Sequence, residues 1–310
     1  MGKMKAKTDK TNKINSRSWD DIVYTWITRV FLVIMVAITL YPVYFVVVAS
    51  FSSPMYVNNG TFLIFPKGFT LKGYTEVFRD ERIWIGYGNT ILYTVCGTVF
   101  GTAVTLLAGY ALSRKDLPGR SVIMKLMVFT MYFSGGMIPF YLIVKGLGLL
   151  DTRISMIILG SLSVYNIIVV RSFMASNIPD ELFDAATIDG CGNGRFFMQI
   201  VVPLSKAVIA VIVLYIAVSK WNSYFNALLF LSDTDKYPLQ VFLRQILLAG
   251  EAMLNDTETL LDQQAAAELR NMAMVVKYSV IVVATAPIIC VYPFIQKYFV
   301  KGVMIGSVKG

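Results

Sequence analysis

The sequence predicts an all-α integral membrane protein with six transmembrane helices, on three observations. Hydrophobic residues fill 56% of the 310 positions and charged residues 15%, where an ordinary soluble domain carries about 25% charged. Apolar runs of about 20 residues, long enough as helices to cross a hydrocarbon core of roughly 30 Å, occur six times. None of those runs contains an Asp or Glu.

The first run, residues 30–50, follows a tail carrying Lys3, Lys5, Lys7, Lys10, Lys13 and Arg17. That basic region is long and no small-residue cleavage site follows the run, so it is expected to remain as an anchor. The second run, 90–112, places Gly97, Gly101, Thr105 and Gly109 four residues apart, a face of small side chains that lets another helix approach closely. The third, 122–144, is broken by Ser134-Gly135-Gly136. The fourth, 155–171, is short and holds Asn166. The fifth, 207–231, carries Lys220, Asn222, Tyr224 and Asn226, and the sixth is 274–295. Arg29, Lys125, Arg171 and Lys277 lie near run ends, where long side chains can snorkel to the interface. Lys220 is deeper and is expected to face a wet cavity or the bundle interior.

Lys and Arg in the connecting segments set the orientation. With the N-terminus inside, segments 1–21, 113–121, 174–206 and 297–310 hold 14 basic residues, and segments 52–87, 145–154 and 232–273 hold 9. The expected organisation is a cytoplasmic tail over 1–29 and a membrane domain over 30–310. Within that domain, 174–206 is a cytoplasmic loop, 232–273 an outer loop and 297–310 a cytoplasmic tail. The N-terminal lysines are read as orientation and attraction to anionic membrane lipid, not nucleic acid, since Trp19 is the one aromatic among them.

The chain contains no His, which excludes Ser-His-Asp, Cys-His and HExxH-type zinc chemistry. Cys96, Cys191 and Cys290 are too scattered for a CxxC pair or a disulfide framework. No catalytic residue and no metal site is expected. A proton- or cation-coupled carrier generally needs an intramembrane carboxylate, and the runs offer none; a passive pore stays open on composition. No GxxxxGK[ST] loop is present to cradle nucleotide phosphates. Transport energised by ATP would therefore place the ATPase in another chain.

Between the fourth and fifth runs, residues 176–190 read as a short helix marked at both ends. Asn177 suits the N-cap, Pro179 the first turn, Asp180 and Glu181 the positive end of the dipole, and Gly190 a left-handed C′ position. Leu182, Ala185, Ala186 and Asp189 follow the i, i+3, i+4, i+7 spacing and predict one shallow, acidic-ended face. Asp184-Ala185-Ala186 is followed after three residues by Gly190, and after nine more by Ile200-Val201-Val202-Pro203.

This spacing resembles the cytoplasmic loop of the membrane subunits of bacterial ABC importers, Glu-Ala-Ala, three residues, Gly, nine residues, Ile-x-Leu-Pro. Asp184 stands for the Glu and Val202 for the Leu. Further segments are similar to the second membrane subunit of maltose-type carbohydrate importers, in the branch that takes up oligosaccharides from plant polysaccharides. These are residues 131–139 with 146–149, Trp221-Asn222-Ser223, Tyr237-Pro238-Leu239-Gln240 and 292–310.

The resemblance implies a type I ABC importer fold in the bacterial cytoplasmic membrane, with both termini inside. It also implies a second homologous permease subunit, two ATP-binding subunits that carry the ATP and Mg, and an extracellular or periplasmic sugar-binding protein that lands on the outer face. This chain itself would bind no cofactor. Glu181, Asp184, Ala185, Ala186, Asp189, Gly190 and Pro203 would form the segment that docks on the ATPase, with Ala186 on the docking face. Ser134, Asn166, Asn222, Tyr224 and Asn226 are candidates to line a sugar pathway, because saccharides take planar hydrogen-bond partners and aromatic faces. Asn within a membrane equally serves as an interhelical hydrogen bond. The same architecture importing a non-sugar solute is the nearest alternative.

Overall fold

A computed structural model describes residues 19–58, 64–256, 271–290 and 293. The basic tail before Trp19, the stretch 262–270 and the segment 297–310 lie outside the described residues. Among the described residues every regular element is helical and there is no strand. In chain order the helices are α1 (Trp19–Ser50), α2 (Pro54–Asn58), α3 (Lys72–Arg79), α4 (Glu81–Ser113), α5 (Arg120–Tyr132), α6 (Met137–Gly146), α7 (Arg153–Ile158) and α8 (Val164–Asn177). There follow α9 (Asp180–Ile188), α10 (Asn193–Phe196), α11 (Val202–Leu204), α12 (Lys206–Trp221), α13 (Phe225–Phe230), α14 (Leu239–Asp256) and α15 (Asn271–Cys290).

Three of these, α1, α4 and α15, are long and apolar enough to cross a membrane alone. Counting each bent pair as one span, α5 with α6 and residues 193–204 with α12, raises the number to five. The six apolar runs are thus not six continuous helices. The third run bends by 117° between α5 and α6, at Phe133-Ser134-Gly135-Gly136, where Gly136 has φ +85°. The fourth run is divided between α7 and α8 around Gly160, at φ +75°. The fifth ends at Trp221 and resumes at Phe225. Hydropathy averages over a window and does not register a two- or three-residue break inside it.

Helix α4 is the centre of the bundle. It packs against α12, α8, α14 and α7, and its small residues permit the approach. A Cβ built on Gly101 would lie 2.4 Å from the Ser161 carbonyl oxygen, one on Gly109 2.5 Å from Val170 Cγ1, and one on Gly86 2.9 Å from Leu239 Cα. These are contacts no side chain could make, so each glycine is a point of near backbone contact. Gly97 faces the stem of Lys220, whose Cε would lie 2.8 Å from an added Cβ.

Lys220 itself is 5% exposed and lies in the bundle interior. Its ammonium donates to the carbonyl oxygens of Met156 at 2.8 Å and Leu159 at 2.6 Å. These carbonyls belong to the C-terminal end of α7, where a helix leaves its acceptors unpaired and carries partial negative charge. The buried cation thereby caps the break that divides the fourth run.

Within the segment 232–273, the part that forms α14 packs into the bundle. Leu239, Val241, Phe242 and Leu243 of α14 are buried, and Leu239, Phe242 and Leu243 pack with Ile83 of α4 and Val280, Val283 and Ala284 of α15. Asp151, between α6 and α7, ties this region down. Its carboxylate accepts from the backbone N–H groups of Ser232 and Asp233, each at 3.1 Å, and pairs with Lys236 Nζ at 3.1 Å. Those donors hold its pKa below the usual carboxylate value, the Asp233 N–H first.

Helix α1 is different in kind. Large apolar side chains from Trp19 to Val47 are exposed along it, and it is attached mainly at its end, where Ser50 Oγ and Tyr74 Oη lie 2.7 Å apart. An apolar surface of that length belongs against lipid or another membrane chain.

Two glycines on α4 provide a matched test. Gly101→Ala is expected to destabilise the detergent-solubilised protein by about 1–3 kcal/mol, the usual range for overpacking. Gly88→Ala, whose methyl meets nothing within 4 Å, should be neutral or stabilising by up to about 1 kcal/mol. Thermal unfolding followed by tryptophan fluorescence checks both; equal midpoints would refute close backbone packing at Gly101.

Candidate functional site

The segment expected to dock on a partner folds as the nine-residue helix α9. Its start differs from expectation. Asn177 is the last residue of α8, donating its Nδ2 to Phe173 O at 2.9 Å, and the N-cap position of α9 is Pro179, without a side-chain cap. The cause is local, since Ile178 precedes proline and is driven to extended backbone (φ −118°, ψ 98°). Asp180 and Glu181 occupy the first turn as anticipated.

The C-terminal end follows the sequence reading closely. Gly190 has φ +73°, its N–H donates to Thr187 O at 3.0 Å, and Cys191 N–H donates to Ala186 O at 2.8 Å. This pair of bonds is a Schellman cap, and it turns the chain sharply out of α9. Pro203 lies in the first turn of α11. A five-residue π-helical turn, Phe197–Val201, precedes it, and an 83° bend follows between residues 193–204 and α12. Proline supplies no N–H to the ladder, and the backbone adjusts around that gap.

One face assignment is corrected. Ala186 does not lie on an open face; it is 8% exposed and packs in a core with Leu106, Val170, Met174, Phe196, Phe197 and Val201. Its neighbour one turn earlier, Phe183, turns the same way and meets Phe196 edge-on at 5.3 Å. The open side of α9 consists of Glu181, Leu182, Asp184, Ala185, Ile188 and Asp189. Ile188 is 87% exposed and Leu182 41%, so this side presents two apolar side chains around the Ala185 dip, with acids at its edges.

Two contacts join α9 to the end of α4. The Arg114 guanidinium sits 3.3 Å from the centre of the Phe183 ring, and Lys115 Nζ pairs with Asp180 Oδ2 at 2.7 Å. That pair raises the Lys115 pKa and lowers that of Asp180, through the side-chain hydrogen bond first in each case. Both groups are exposed, so the pair orients α9 more than it stabilises the fold.

The five candidate pathway residues are not gathered together. Ser134 is exposed at the α5–α6 bend, and Asn166 is buried at 7% exposure. Asn222 and Asn226 do not share a helix. The chain leaves helix at Asn222, whose N–H and Nδ2 both donate to Val218 O, and Asn226 falls on α13, its Nδ2 3.4 Å from where a Cβ on Gly160 would be. Asn222 and Tyr224 do share a cavity of about 490 Å³ with Gln240 and Arg244 of α14 and Thr285 of α15. Sequence reading missed Gln240 and Arg244. Their i, i+4 spacing on one side of an apolar stretch was the available signal.

The revised face predicts that Ala186→Trp disrupts the chain's own α9 core. Expected is a loss of folded protein, with a lowered unfolding midpoint for the chain purified alone, while Ala185→Trp leaves that midpoint within a degree or two. The reverse order would contradict the burial of Ala186.

No protein-family model matches the chain. It is 41% identical over 301 residues to the "Polygalacturonan/rhamnogalacturonan transport system permease protein YtcP" of Bacillus subtilis (strain 168), covering 96% of this chain and 100% of that protein. It is 26% identical over 293 residues to the "Arabinooligosaccharides transport system permease protein AraQ" of Halalkalibacterium halodurans, covering 93% and 98%. Among solved structures, a chain of a bacterial ABC transporter involved in the import of the acidic polysaccharide alginate aligns with TM-score 0.80 at 33% identity, over 92% of this chain and 99% of that one. With an all-helical bundle, apolar spanning helices and similarity of this extent along nearly the whole chain, the protein belongs to the permease subunits of ABC sugar importers, non-catalytic membrane components whose ATPase activity lies in a separate subunit.

Proposed function

We propose that the chain forms half of the translocation pathway of an ATP-driven importer of oligosaccharides derived from plant polysaccharides, and that α9 couples the ATPase to it. A second homologous permease completes the pathway. Two ATP-binding subunits, holding ATP and Mg, dock at α9, and a sugar-binding protein delivers cargo at the opposite end. The names of the relatives, for polygalacturonan/rhamnogalacturonan and arabinooligosaccharides, support the cargo class.

The observation that carries the coupling role is the two-sidedness of α9. Its inner side, Phe183 and Ala186, is built into the bundle core, while its outer side leaves Leu182, Ala185 and Ile188 uncovered. A helix of this kind moves with whatever holds its outer side. Arg114–Phe183 and Lys115–Asp180 connect it to α4, the helix against which α7, α8, α12 and α14 all pack. Closure of the ATPase would thus act on the centre of the bundle, tilting it between outward- and inward-open arrangements, with the breaks at 133–136, 159–163 and 222–224 as the places where segments shift against each other.

Ile188→Glu and Ala185→Trp should leave the permease folded but weaken assembly with the ATPase by tenfold or more. Co-purification of the ATPase, and hydrolysis stimulated by the binding protein in proteoliposomes, measure this. Normal assembly and unmodified uptake by both variants would leave α9 as a connector only.

The proposed topology has six crossings, with the divided α7–α8 segment as the fourth, and both termini in the cytoplasm. After replacement of Cys96, Cys191 and Cys290, a single Cys at Lys115 should react with an impermeant thiol reagent only from inside, and one at Asp235 from outside. Labelling of position 115 in intact cells would invert the orientation.

A further inference from the structure

The cavity formed by the end of α12, α14 and α15 contains one feature that a general sugar path does not require. Arg244 projects from α14, an otherwise apolar helix from Leu239 to Ala249 apart from Gln240 and Gln245. Its guanidinium carbon lies 4.7 Å from the centre of the Tyr224 ring. Placed over the ring in a cation–π contact, the guanidinium makes no hydrogen bond to the described residues, which leaves its N–H donors available. Among the described residues no carboxylate pairs with Arg244, and none lines the cavity. The other polar lining groups, Asn222, Gln240 and Thr285, are neutral. A volume of about 490 Å³ falls within the range of small-molecule sites.

Each component matches one part of a particular ligand chemistry. Amides and a hydroxyl suit sugar hydroxyls. The Tyr224 ring offers an apolar face to a pyranose. The planar, permanently charged fork matches a carboxylate with two parallel hydrogen bonds. A lone arginine in an apolar wall is costly unless water or an anion reaches it, which argues for a wet cavity that an anion can enter.

We propose that Arg244, braced on Tyr224, reads the carboxylate of a uronic acid in the passing chain and makes this subunit selective for acidic over neutral oligosaccharides. The proposal rests on the oligosaccharide-importer reading above and adds the charge of the cargo and the residue that senses it. Arg244 acts by binding; no bond is made or broken. Gln240, one turn before it on α14, and Asn222 orient the sugar ring beside the carboxylate.

The test uses the complete transporter, with both permeases, the ATPase and the binding protein, in proteoliposomes. ATP-dependent uptake is compared for trigalacturonate, its methyl ester and arabinotriose. Because the binding protein is the same throughout, the ratio of acid to ester uptake compared between wild type and variant isolates the permease. Arg244→Gln should lower that ratio about tenfold, the effect of one charge-assisted interaction, and Arg244→Lys should retain an intermediate ratio because it keeps the charge but loses the fork. Arg244 is exposed, and continued ester uptake by the variant reports an intact pathway. An unchanged ratio in Arg244→Gln, or wild-type uptake of arabinotriose without trigalacturonate, overturns the anion proposal and leaves the importer reading standing. Uptake of none of the three overturns the importer reading, and this proposal with it.

Discussion

The bundle depends on the closeness with which other segments approach α4. At Gly86, Gly101 and Gly109 a neighbouring atom occupies the space a Cβ would need, and through these points α14, the α7–α8 connection and α8 come to rest against one helix. Within a membrane the lipid tails compete with apolar side chains on equal terms, so association between helices relies on tight van der Waals contact and hydrogen bonds more than on burial of apolar area. A stripe of small residues supplies the first. Asn89, donating to Asp235 O at 2.7 Å, and Tyr93, whose hydroxyl donates to Lys236 O at 2.8 Å, supply the second at one end of α4. At the other end Lys115 pairs with Asp180 and the Arg114 guanidinium lies over the Phe183 ring.

Because α4 is held so closely, the remaining segments bend around it. The interruptions at 133–136, 159–163 and 222–224 all fall in apolar runs, where freed backbone groups must find partners inside the protein. Lys220 shows one solution, with a cationic side chain from α12 taking up the carbonyls released at the end of α7. The same charge that would be costly facing lipid becomes the cap of a broken helix. Outside the runs Asp151, at positive φ (54°), gathers two backbone donors and a lysine on its carboxylate and ties two connections together.

The two ends of α4 differ in what they leave open. At one end α9 is anchored by an aromatic and aliphatic core and keeps an apolar side uncovered, a surface suited to a protein partner. At the other, the turn 222–224, α14 and α15 line a cavity with polar side chains and an exposed arginine over the Tyr224 ring, a surface suited to a hydrated solute. In the proposed coupling, α4, a single continuous helix of about 50 Å, is what connects the two.

Composition and hydropathy were sufficient to read a helical membrane protein, and the residues from Asp180 to Gly190 the acidic first turn of α9 and the left-handed position at Gly190; the importer family rested on resemblance to known sequences. These features are local: they depend on residues near in sequence, on helix length against bilayer thickness, or on the one conformation a glycine C-cap requires. What only the tertiary structure decided is which side of a helix looks outward and where a helix stops. Ala185 and Ala186 are equivalent to any periodicity argument, yet Phe196 and Val201 from the following segment enclose one and leave the other bare. The runs at 155–171 and 207–231 carry the hydropathy of single helices, yet a lysine 64 residues from Met156 makes the first break tolerable. Gln240 and Arg244 are remote in sequence from Asn222 and Tyr224 and meet only because Gly86 lets the start of α14 settle against α4. Such pairings are contacts between distant segments, and periodicity along one segment contains no information about them.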